Sequence, residues 1–244
     1  MHPSLAVCEE KIKRAKTHLD ELHRELRVFF ERDEPYETPG KYNPETKRFT
    51  FYFQTRGDPP PILDILVGET AHALRSSLNN LVSALSGGSY GDTDFPIFVS
   101  ESDFRKYGRK RLRRLHKRHR DVIEALQPYH RPDPDAAPLA ILNRLAREDK
   151  HRSATFRLAA FIEADMHFNA VRDIASYGEV IIYGGRIENG DPLADVEIVP
   201  AGPQPELHIN CKVRADVAFG EGWLLPEPFP AVIKEVRDIV AKLA

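Results

Sequence analysis

Glu206-Leu207-His208-Ile209-Asn210-Cys211-Lys212-Val213-Arg214-Ala215-Asp216-Val217-Ala218-Phe219 alternates apolar and polar residues. Leu207, Ile209, Cys211, Val213, Ala215, Val217 and Phe219 fall on one side, and His208, Asn210, Lys212, Arg214 and Asp216 on the other. That period of two is a half-exposed antiparallel strand, with room for a bend midway. Shorter apolar runs precede it at Thr155–Ile162, Glu179–Arg186 and Val196–Val199, with a tight turn at Asn189-Gly190. Strands are thus expected after residue 152.

Upstream the period changes to 3.6. Residues 4–32 carry Cys8, Ile12, Ala15, Leu19, Leu22, Leu26 and Phe29 at steps of four and three. The spacing suits either a bundle helix or a dimer seam. Pro61 to about Ser86 forms a second helix on Val67, Ala71, Leu74, Leu78, Leu81 and Leu85, ended by Gly87-Gly88. A third is expected from Glu101 to Leu126 and a fourth from Pro138 to Lys150. A terminal helix starts at Pro230. One early strand, Arg48–Gln54, sits among the helices. Helices first and strands later predict an α+β fold. The expected division is a helical-bundle region over 1–152 and an antiparallel sheet with a terminal helix over 153–244.

The 244 residues suffice for one large core or two smaller ones. No run of eighteen apolar residues exists, so no membrane-spanning helix is expected. The N-terminus enters a charged amphipathic helix without a secretory-signal pattern. Cys8 and Cys211 are isolated and on apolar faces, which predicts buried free thiols in a reducing cytoplasm. No metal-ligand spacing, Walker loop, dinucleotide fingerprint or Cys-x-x-Cys is present, so neither metal nor cofactor is expected.

Two helical stretches hold residues a packing helix does not need. On the second helix Glu69, His72, Ser76, Asn79 and Ser83 form a polar strip, with Arg75 beside it. His, Ser and Asn suit either an interhelical hydrogen-bond network or a cleft. On the fourth helix Arg144 and His151 are seven apart, nearly two turns, and so face the same way. A histidine there can act as general acid or base, and an arginine can hold an anionic oxygen. The alternative is that His151 only caps the helix.

Leu74-Arg75-Ser76-Ser77-Leu78-Asn79-Asn80-Leu81, the later Phe95-Pro96-Ile97, and Asp149-Lys150-His151-Arg152 resemble an uncharacterised family of bacterial and phage proteins. Its first motif reads Leu-Arg-Ser-Ala-Leu-Asp-His-Leu and its second ends Asp-Lys-His-Arg. The likeness spans roughly residues 60 to 155. A remoter similarity is to HEPN domains, helical bundles that are often dimeric and in many cases metal-independent ribonucleases. Their motif sets an arginine four to six residues before a histidine. This chain has Asn80 at the histidine position, and an amide exchanges no proton at neutral pH. That leaves Arg75, Asn79 and Asn80 as structural or binding residues. Any ribonuclease chemistry would fall to His151 as base toward a 2′-hydroxyl and Arg144 as phosphorane stabiliser.

Net charge is −2, but it is unevenly spread. Residues 161–244 hold 14 acids and 7 bases, a net of −7, leaving +5 for the remainder. Arg105–Arg120 carries ten bases in sixteen positions, plus His116 and His119, and no acid. Such repulsion calls for an anion: nucleic acid, a phosphate ligand, or the chain's own acidic half. Arg109, Arg113, Arg114 and Lys117 are the candidate phosphate contacts. Leu112, Leu115 and Tyr107 are assigned to the core. The functional expectation is a HEPN-like protein that binds RNA or another polyanion, with or without weak ribonuclease activity. The competing expectation is a non-enzymatic, homo-oligomeric scaffold.

Overall fold

The computed structural model describes residues 3–32, 35–87, 94–151, 156–162, 167–210, 213–219 and 223–243. Within them, side chains at 3, 4, 32, 148–151, 156–162, 210, 213–216, 219, 223 and 224 fall outside the description. The protein is α+β, with two compact units that are each discontinuous in sequence. One gathers Met1–Glu25, Pro61–Ala154 and Pro226–Ala244; the other gathers Leu26–Pro60 and Thr155–Leu225. A cut at residue 152 does not separate these units. The terminal helix packs with the earlier helices, and the early strands pair with later ones.

α1 (Pro3–Arg32), which belongs to the helical unit as far as Glu25, buries its seven-residue stripe from Cys8 to Phe29. α2 (Ile62–Leu85) lies antiparallel to it. Ser77 Oγ donates to the Cys8 carbonyl (3.0 Å), Lys11 Nζ donates to Ser76 Oγ (2.8 Å), and His18 Nδ1 approaches Glu69 Oε2 at 3.2 Å. That last approach lacks hydrogen-bond alignment. α2 also packs on α6 (Pro138–His151) and α7 (Pro228–Leu243). Leu74, Leu78 and Leu81 share this core with Leu142, Leu145, Val236 and Ile239. Burying each such side chain contributes roughly 2 kcal/mol relative to exposure. The seventeen-odd residues before α5 (Lys117–Ala125) contain α3 (Glu101–Asp103), a π-helical turn over Phe104–Gly108, and α4 (Arg109–Arg111). The expected single helix over Glu101–Leu126 is therefore two helical pieces joined by a turn at residues 112–116.

In the sheet unit, β1 (Tyr36–Glu37) pairs with β4 (Gln54–Thr55). β2 (Gly40–Asn43), β3 (Arg48–Tyr52), β8 (Pro192–Pro200) and β7 (Ile174–Ile182) form a four-stranded antiparallel sheet in the order β2-β3-β8-β7. The early strand thus joins the late ones, with Phe49 opposite Val196 and Phe51 opposite Ala194, all four buried. Gly40 lies opposite Phe51, and a Cβ there would stand 2.7 Å from the ring, so this edge position requires glycine. Within the long Glu206–Phe219 run, strand is described on both sides of residues 211 and 212, which lie outside the described residues. β9 (Glu206–Asn210) pairs with β6 (His167–Arg172), while β10 (Val213–Phe219) lies between β5 (Phe156–Ile162) and β11 (Trp223–Leu224). The apolar/polar alternation runs through both stretches, and residues 163–166, between β5 and β6, also lie outside the described residues.

Cys8 is a buried thiol whose pKa burial pushes up; Cys211 lies outside the described residues. No helix among the described residues is long and apolar enough to cross a membrane.

Candidate anion-binding site

Ser100 opens the basic segment as an N-cap, its Oγ accepting the Asp103 N–H. The chain then winds through the π-turn, a feature that often marks functional positions in helices. Phe104 is fully buried there, between Phe98 (6.1 Å, edge-on) and Tyr129 (5.8 Å). Gly108 closes over its ring: a Cβ at that position would sit 2.6 Å from Phe104 Cδ2 and 3.0 Å from Phe98 Cε2.

An uninterrupted helix would set Arg109 over Arg113, Lys110 over Arg114, Arg113 over Lys117 and Arg114 over Arg118. Each like-charge pair at that spacing is destabilising by a few tenths of a kcal/mol, roughly. The turn at 112–116 takes these contacts apart while keeping Leu112 and Leu115 buried. His116 Nδ1 caps the returning α5 by accepting the Arg118 N–H (3.4 Å). Arg109 then reaches Glu124 across the hairpin at 2.7 Å.

The hairpin neutralises part of its charge internally. Arg105 pairs with Glu101, Arg109 with Glu124, and Lys117 with Asp121 (2.9 Å). Lys106 and Lys110 lie over the Tyr107 ring at 4.8 and 5.7 Å, and Arg111 over Phe98 at 5.8 Å. Tyr107 is consequently 39% exposed rather than a core residue. It presents an aromatic face between two cations. Arg113, Arg114, Arg118 and Arg120 are exposed at and beyond the turn.

Arg75 is the unusual charge. It is half-buried on α2, its Nη1 is buried, and that nitrogen has no hydrogen-bond partner. Burial pushes its pKa down to about 10, Asp94 acts in the opposite sense, and the positive charge of Arg111 lowers it further. The guanidinium is still a cation at neutral pH, close enough to Arg111 to feel it. A buried cation without hydrogen-bonded compensation is costly, which is the condition an incoming anion relieves.

Asn79, one turn along, is structural. Its Oδ1 accepts the Phe95 N–H at 3.0 Å and anchors the Asp94–Phe98 segment to α2. Gln127 holds the same segment from the other end. Its Oε1 accepts the Phe98 N–H (3.0 Å), and its Nε2 donates to the carbonyls of Pro96 (2.9 Å) and Ile123 (3.0 Å). Gln127 was not foreseen from sequence; a lone glutamine before a proline carries no pattern. The rest of the α2 strip is divided between an interhelical contact, Ser76 with Lys11, and an open groove wall at Glu69 and His72. Asn80 is half-buried.

Arg144 does not join Arg75. Its Nη2 lies 3.9 Å from the Asp135 carboxylate and 3.5 Å from that residue's carbonyl. The helix α6 runs to His151, but the side chains of Glu148 and His151 lie outside the described residues. Among the described residues no cluster of three or more His, Cys, Asp or Glu side chains is placed to hold a metal. His119 receives the Arg118 Nε–H on Nε2 (3.0 Å), so that nitrogen is unprotonated; burial, then Arg118 and His116, lower its pKa. No family model, curated protein or solved structure matches the chain.

Proposed function

We propose that this protein binds the phosphates of RNA or a comparable polyanion at the Arg105–Arg120 hairpin, with Arg75 as the innermost contact. The observation that carries this reading is the buried Arg75 guanidinium, unpartnered at Nη1 and beside a second arginine. Arg113, Arg114 and Arg120 extend positive charge outward from there, and Tyr107 offers one ring on which a base can stack. Lys117 and Arg109 already hold acids, so an arriving phosphate competes with those acids for them.

Binding rather than cleavage is what the geometry supports best. Arg144 is engaged by Asp135, and Asn80 supplies no proton-transfer group. The test is fluorescence anisotropy with a labelled single-stranded RNA across a salt series. The expected slope of log affinity against log salt is about −0.7 for each phosphate neutralised. Arg113→Ala with Arg120→Ala should lower its magnitude by about 1.4. An affinity indifferent to salt, or a slope indifferent to these changes, sinks the proposal. Incubation of the same RNA with wild type and His151→Ala reports on cleavage. Cleavage lost in the variant would restore the ribonuclease reading.

A further inference from the structure

We propose that Arg75 and Arg111 form a subsite for a terminal phosphate of an RNA chain, so that the protein takes hold of an RNA end and not only of its backbone. This rests on the RNA-binding reading and narrows it. Both arginines are placed by one clasped segment. Arg75 and Asn79 are four apart on α2 and share a face of that helix. Asn79 fixes the Phe95 N–H there, and Gln127 fixes the Phe98 N–H and the Pro96 carbonyl, so residues 94–98 are held at both ends. Arg111 lies over the Phe98 ring at 5.8 Å, and that ring restrains its guanidinium. Arg75 and Arg111 are both half-buried, unlike the exposed Arg113, Arg114 and Arg120. Neither forms an ion pair among the described residues. Burial is the main influence against the Arg75 charge; exposed Asp94 favours it, and Arg111 opposes it. Two neighbouring cations thus share one solvent-exposed carboxylate.

Depth and charge select the kind of phosphate. Arg75 Nη1 is buried and has no hydrogen-bond partner, so the unmet demand lies inward of the exposed arginines. An internal phosphodiester carries a ribose on each side and a single charge. It lies along a surface and suits Arg113 and Arg120. A terminal phosphomonoester has one ribose and three free oxygens, and it can enter a recess end-on. At neutral pH it carries a charge of about −1.5 to −2, which two guanidinium groups match. The parallel N–H donors of an arginine fit two phosphate oxygens at once, and two arginines held at different angles can divide the three between them. A cation already half-desolvated gains more from such a partner than a fully solvated one does.

The test is fluorescence anisotropy of the full chain with one internally labelled single-stranded RNA bearing a 5′-phosphate, a 3′-phosphate or neither. A phosphorylated form is expected to bind about tenfold more tightly than the unphosphorylated one, and the two phosphorylated arms tell which end is taken. In Arg75→Met and in Arg111→Met that ratio should fall to about one, while Arg111→Lys should keep part of it. Circular dichroism checks that each variant is folded. The pH dependence is a second readout. A terminal phosphate loses its second charge below about pH 6, whereas arginines and internal diesters do not titrate there. The ratio should therefore shrink between about pH 7.5 and 5; protonation of His116 and His119 acts on all three RNAs and cancels in it. Equal affinity for all three RNAs with the salt slope intact overturns this inference and leaves the RNA-binding reading standing. Absence of RNA binding at every salt concentration overturns both. A preference that survives both methionine variants, or that does not change with pH, overturns the Arg75–Arg111 subsite as well.

Discussion

Replacing Arg75 with methionine should stabilise the protein in the absence of anions. Methionine keeps the unbranched shape and removes the charge. Lowering the guanidinium's pKa from its ordinary value to about 10 corresponds to about 3 kcal/mol of unfavourable burial. Arg75 is only half-buried, so solvent screening reduces this to ~1–2 kcal/mol. Urea unfolding in a low-salt, phosphate-free buffer is the assay, with the gain read as a higher midpoint at constant m. The sign with pH is fixed. A base with a lowered pKa in the folded state penalises folding fully below that pKa, here about 10. The penalty fades as pH rises from there toward the ordinary arginine value. The gain should therefore be flat between about pH 6 and 9 and shrink above 10. Added polyanion should reverse the ranking. Wild type gains roughly 2.7 kcal/mol at a hundredfold excess over Kd, and Arg75→Met gains less. The reasoning is refuted if the variant loses about 1 kcal/mol or more without anion. Equal stabilisation of both proteins by polyanion refutes it as well.

Gly108→Ala should cost about 1–3 kcal/mol, because its methyl cannot fit against the immobile Phe104 ring; an unchanged urea midpoint would count against the tight π-turn. Gln127→Met should cost roughly 2–4 kcal/mol by leaving the Phe98 N–H and the Pro96 carbonyl buried without partners. Hydrogen exchange at Phe98 should accelerate in that variant, and unchanged protection there would argue against the clasp. His119 has a folded-state pKa below its ordinary 6.5, so it contributes nothing above that pH and costs stability as pH falls below it. The stability difference between wild type and His119→Gln should consequently change between about pH 7 and 5, and be constant above 7.

Much of the fold is legible in the chain because helices and strands repeat at different periods. The Cys8–Phe29 stripe, the leucines of α2 and the alternation in β3 each name an element and its buried face. Pairing is another matter. The 206–219 alternation does not say that β9 pairs with β6 and β10 with β5, and β3 finds β8 some 145 residues later, as the Thr50–Asp195 contact shows. Neither fact leaves a local signature. β6 and the first half of β7 were missed because their exposed, mixed residues lack a clean period.

The site divides in the same way. Sequence alone determined that Arg105–Arg120 is a concentration of positive charge, since that follows from composition. It also determined that Arg75 stands on α2 beside the polar strip of Glu69, His72, Ser76, Asn79 and Ser83. Only the tertiary structure decided that the basic run breaks into a hairpin, because relief of its i,i+4 repulsions depends on Glu124 being within reach of Arg109. Only tertiary structure put Arg111 and Asp94 beside Arg75 and left the guanidinium's Nη1 without a partner. Burial and countercharge come from residues distant in the chain, and they, rather than residue type, set whether an arginine is a solvated charge or a waiting site.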